Sequence, residues 1–122
     1  MTNSEILNGN TLIAQYMGYR VFNKRYPRNH GIGGGILEIK DCLAENLKYH
    51  KSWDALMPII EKIEEHGVWF DIKKNFVDVD GVVMTTNGYR NFRWYGGHTH
   101  DSKILSAWYG VVAFVTWYNE NK

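Results

Sequence analysis

The chain of 122 residues has one cysteine, almost no net charge and no apolar run at its start. Cys42 alone cannot close an internal disulfide. Met1-Thr-Asn-Ser has neither the basic nor the apolar stretch of a secretion signal, so a reducing cytoplasm is expected. Fourteen Lys and Arg against thirteen Asp and Glu leave a net charge of +1, so affinity for a polyanion would need a local patch. Nucleophilic catalysis also lacks its parts. Cys42 has no evident histidine partner, no serine sits in a nucleophile elbow, and no carboxylate pair has a distinctive spacing. The expectation is therefore no enzyme and no cofactor. Neither strong helix has a basic face, so no DNA-reading element is expected. A mean hydropathy of -0.40 argues against a membrane protein.

What is present is enough for one folded domain, 1–122, able to bury about two thirds of its unfolded surface. Apolar spacing predicts a helix over Thr11 to Met17, ended by Gly18 and preceded by an interruption at Asn8-Gly9-Asn10. A short strand over Tyr19 to Phe22 leads into a basic, glycine-rich loop, 20–35, with Lys24, Arg25, Arg28 and four glycines. Residues 36–50 show no clean period. Ser52 caps a central helix that reaches His66, with Leu56, Ile59, Ile60 and Ile63 on one face and Gly67 as its stop. Pro58 either kinks that helix or opens it after a preliminary turn.

Alternation at Val68, Phe70 and Ile72, followed by Asp80-Gly81 and Asn87-Gly88, predicts a meander with two type I′ hairpins. Its strands are Val68 to Lys73, Asn75 to Val79, Val82 to Thr86 and Tyr89 to Tyr95, the first two open to merging into one bent strand. A last helix, capped by Asp101 or Ser102, is apolar on nearly every side and needs a second helix or subunit to cover it. The fold class is α+β: a small antiparallel meander of three or four strands packed with amino-terminal, central and carboxy-terminal helices.

Three segments carry chemistry. His98-Thr99-His100-Asp101 has a spacing that can hold a metal, but no second ligand motif accompanies it and the favoured reading is a polar loop before a helix cap. The 20–35 segment reads first as a flexible glycine loop, with an anion site made by mobile guanidinium groups around Tyr26 as the alternative. Tyr89-Arg90-Asn91-Phe92-Arg93-Trp94-Tyr95 interleaves rings with cations. Alternation places Tyr89, Arg93 and Tyr95 with Trp69 on the face opposite the core, where rings can stack a base or pack in a subunit contact.

The run Tyr49-His50-Lys51-Ser52-Trp53-Asp54, continuing through Leu56-Met57-Pro58 to Glu61-Lys62-Ile63, and the ending Trp117-Tyr118-Asn119-Glu120-Asn121-Lys122 resemble small proteins of phages and prophages. The order of elements is similar to the phage ABA-sandwich domain over most of the chain apart from Arg20 to Leu47. That resemblance implies an accessory protein acting in the host cytoplasm by binding, either sequestering a nucleotide-derived immune signal or masking a host protein. The first alternative is a homo-oligomer whose Arg25, Arg28, Arg90 and Arg93 meet phosphate while Tyr26, Trp69, Tyr89 and Tyr95 stack the base. The second is a protein-interaction module using the same aromatic surface. A metal-dependent hydrolase built on His98, His100 and Asp101 is a third, weaker reading.

Overall fold

The computed structural model describes residues 2–22, 41–43, 46–73, 76–97 and 103–122, and the chain has the expected α+β composition. It divides into two compact units, residues 1–47 and 48–122.

In the first unit, helix α1 (Asn3–Tyr16) leads to a parallel pair of short strands, β1 (Arg20–Phe22) and β2 (Asp41–Leu43). The helix begins eight residues before the predicted Thr11. Its start is a capping box: the Thr2 hydroxyl accepts from the Glu5 amide at 3.1 Å, and the Glu5 carboxylate accepts from the Thr2 amide at 3.1 Å. With two orphan donors satisfied, the helix runs through Asn8-Gly9-Asn10 instead of breaking there. Asn10 is fully buried, and its side-chain amide donates to the Leu47 carbonyl at 3.2 Å. Gly18, at φ +95°, closes the helix as predicted, with the Tyr19 amide donating back to Ala14 and the Gly18 amide to Gln15. The β1 strand falls within Tyr19 to Phe22, whereas β2 lies in the segment that showed no period.

The second unit contains helix α2 (Trp53–Glu64), strands β3 (Val68–Ile72), β4 (Phe76–Thr85) and β5 (Gly88–Gly97), and helix α3 (Lys103–Asn121). Ser52 caps α2, its hydroxyl accepting from the Ala55 amide at 3.2 Å. The helix starts at Trp53 with Pro58 inside it, so no separate preliminary turn forms. Leu56, Ile59, Ile60 and Ile63 are its buried stripe, and Gly67 follows at φ +99°.

The strands form an antiparallel sheet of order β3-β4-β5. One predicted turn is absent: β4 runs straight through Asp80-Gly81. Gly81 is there because a side chain would drive into the Gly67 carbonyl and the Val68 Cα, so its lack of a Cβ serves close backbone approach and not a reversal. The other turn exists in a different form. Thr85 pairs with Gly88 across a Thr86-Asn87 loop, and only Gly88 has positive φ, which is incompatible with type I′. Thr85 secures it: its hydroxyl donates to the Gly88 carbonyl at 2.7 Å and accepts from the Asn87 amide at 3.1 Å.

Helix α3 lies across β4 and β5 and also packs against α2, which supplies the cover its all-round apolar surface requires. Gly110 lets it approach closely, since a Cβ there would meet Trp94 and Val79 at 3.2 Å. Phe92 meets Phe114 edge-on at 5.2 Å, and Phe114 meets Tyr118 at 5.7 Å. Trp108, Val111 and Phe114 of the helix and Val77, Val79 and Val83 of β4 are almost or wholly buried. Among the described residues, no helix is long and apolar enough to cross a membrane.

Candidate functional site

Period-two alternation gives the sheet two unlike faces. Val68, Phe70, Val77, Val79, Val83, Phe92 and Trp94 are on the side packed with α3. The opposite side collects Trp69, Asp71, Asp78, Asp80, Val82, Met84, Tyr89, Arg93 and Tyr95. On it, Trp69 is 73% exposed, Tyr89 71%, Tyr95 59%, Met84 58% and Val82 49%. Single exposed apolar residues are ordinary, but five on one sheet face form a patch.

Register fixes the neighbours on this open face. Trp69 of β3 pairs with Asp80 of β4, which pairs with Arg93 of β5. Asp71 pairs with Asp78, which pairs with Tyr95. The Trp69 and Arg93 backbones are therefore two strand spacings apart, about 10 Å, while Tyr89 stands about 14 Å along β5 from Arg93, beside Met84. Tyr95 stacks on Phe76, with ring centroids 4.9 Å apart. Arg93 reaches the Asp78 carboxylate at 3.5 Å, and Lys73 reaches that of Asp71 at 3.3 Å. The second Asp78 oxygen is sealed from solvent and meets no hydrogen-bond donor among the described residues. Among the described residues, no cation lies within ion-pair distance of Asp80.

Trp69, Phe70, Asp71, Asp78 and Asp80 line a shallow open depression of about 390 Å³. From the open face Trp69, Asp71, Asp78 and Asp80 turn their side chains toward it, the Phe70 side chain being on the α3 side, and none of the lining residues is basic. The cations Lys73 and Arg93 are tied to Asp71 and Asp78 from outside that lining.

Four of the predicted site residues, Trp69, Tyr89, Arg93 and Tyr95, thus share one face. Arg90 does not join them: two-residue alternation sends it to the side of Phe92 and Trp94, where it is exposed. Arg25, Tyr26 and Arg28 lie outside the described residues, as do His98, His100 and Asp101. Sequence reasoning missed Asp71, Asp78 and Asp80. The parity of Asp71 with Trp69 was visible within β3, but reading Asp80 as a turn residue broke the alternation that aligns Asp78 and Asp80 in β4. Among the described residues, no group of three or more His, Cys, Asp or Glu side chains is arranged to hold a metal ion.

On the helix-covered side, His66 packs its ring 4.7 Å from Tyr118 and 5.8 Å from Phe114. Burial, reinforced by Lys62 and opposed by Glu65, holds its pKa below the usual imidazole value. No protein-family model, curated protein or solved structure matches the chain.

Proposed function

We propose that this chain is a non-catalytic binding protein that docks another protein on the open face of its three-stranded sheet. The observation that carries the reading is the joint exposure of Trp69, Tyr89, Tyr95, Met84 and Val82 on that face. Aromatic residues and methionine are the side chains that protein interfaces concentrate, and a cluster of them is costly to leave in water. Binding without turnover is also what the resemblance to phage accessory proteins implies, with a host protein as the masked partner.

Capture of a nucleotide-like anion draws less support from this face. Its rings could stack a base, but Arg93 pairs with Asp78, Lys73 pairs with Asp71, and the remaining carboxylate of Asp80 would repel a phosphate.

A photo-crosslinking residue placed at Tyr89 tests the proposal in cells that contain the partner. A discrete crosslinked protein is expected from Tyr89, none from a control position at Glu120, and loss of the product when Trp69→Ala and Tyr95→Ala are added. Equal crosslinking from both positions, or indifference to the two substitutions, overturns it.

A further inference from the structure

Resting on that reading, we infer that the docked segment is basic, and that an arginine or lysine side chain of the partner lies on the Trp69 indole in the depression walled by Asp71, Asp78 and Asp80. Charge complementarity makes the choice of occupant. The lining has three carboxylates and no cation; Lys73 and Arg93 at its edge pair with Asp71 and Asp78, which leaves the charge of Asp80 uncompensated among the described residues. Asp71 and Asp78 sit directly opposite each other in the ladder, where like charges destabilise a sheet. Asp80 adds a third negative charge one row away, with no ion-pair partner among the described residues.

A neutral apolar partner would desolvate Asp80 with no ion-pair partner among the described residues, and an acidic one would be repelled by it. A guanidinium or ammonium group answers both costs. Trp69 adds a wide aromatic face, the ring most favourable to a cation, beside the carboxylates that would bind its hydrogens. The face continues along β4 past Val82 to Met84 and Tyr89. From Asp78 to Met84 it spans about 20 Å, the length of roughly six extended residues. The occupant is thus an extended basic segment with apolar residues beyond its cation.

The test uses the full chain, calorimetry, and the indole N–H resonance of Trp69, identified through Trp69→Phe. The probes are a six-residue arginine peptide and a six-residue glutamate peptide. The arginine peptide is expected to bind, shift the Trp69 resonance and weaken as salt is added, while the glutamate peptide does neither. Asp71→Asn with Asp80→Asn, both at exposed positions, should weaken the arginine peptide roughly ten-fold without lowering the melting temperature. Undiminished binding by that double variant overturns the inference, as does preference for the glutamate peptide or for a dinucleotide. So does light scattering that finds a second copy covering the face. If the double variant binds the arginine peptide as wild type does while Trp69→Ala and Tyr95→Ala still abolish crosslinking, only the basic occupant falls. If crosslinking ignores the aromatic substitutions, the docking reading itself falls.

Discussion

The two faces of the β3-β4-β5 sheet are made by the same three strands and differ in every respect that matters for function. Toward α3 the side chains are mainly valines, phenylalanines and a tryptophan packed with the helix, although Arg90 on that side is exposed. Away from it they are rings, a methionine, carboxylates and one arginine, turned to solvent. The contrast teaches that hydrophobic content alone does not mark a core. Trp108 and Trp69 are the same residue type, yet one is 2% exposed and the other 73%. What separates them is neighbourhood, since Trp69 stands beside Asp80 whereas Trp108 lies on a helix buried among apolar residues.

Substitutions on the two sides should therefore differ widely. Phe114→Ala should cost about 3–5 kcal/mol, the usual effect of emptying a buried aromatic site, read as a shift in the urea midpoint. Next in size is Gly81→Val, which forces a side chain onto the Gly67 and Val68 backbone. It should cost about 1–3 kcal/mol and disturb the β3 amide resonances. Trp69→Ala should cost less than about 0.5 kcal/mol. An effect as large as that of Phe114→Ala would show the open face to be covered and would break the comparison.

The smallest effect is pH-dependent and belongs to the covered side. Because burial holds the folded His66 below its ordinary value, the unfolded chain takes up this proton first. Its contribution is intact above about pH 6.5 and is lost as pH falls from there toward the lowered folded value. Melting temperature should drop over that window, and His66→Phe should flatten part of the drop. His50, also lowered by burial and by Lys51, adds a response of the same sign that the variant retains. A drop of undiminished size would remove His66 from the account.

Much of this was legible in the order of residues. The Ser52 cap, the Leu56-Ile59-Ile60-Ile63 stripe and the stops at Gly18 and Gly67 follow from local rules, and the structure has them. Parity within β3 and β5 placed Trp69, Tyr89, Arg93 and Tyr95 together, because a pleated strand leaves no other arrangement. Hidden from a local reading were features set by a distant partner. Gly81 looks like half of a turn until the Gly67 backbone is brought against it. The predicted break before Thr11 disappears once Thr2 and Glu5 cap each other. The carboxylates were the functional cost of that first misreading, since a turn at Asp80 divides the residues that β4 in fact aligns.

The close approach of Gly81 to Gly67 and Val68 has a consequence for the site as a whole. Were β3 to slide by one position along β4, Trp69 would turn inward and Val68 and Phe70 outward, and the depression would vanish. Only one alignment seats the bare Gly81 backbone under the Gly67 carbonyl. The open face thus keeps its frame through two residues that have no side chains.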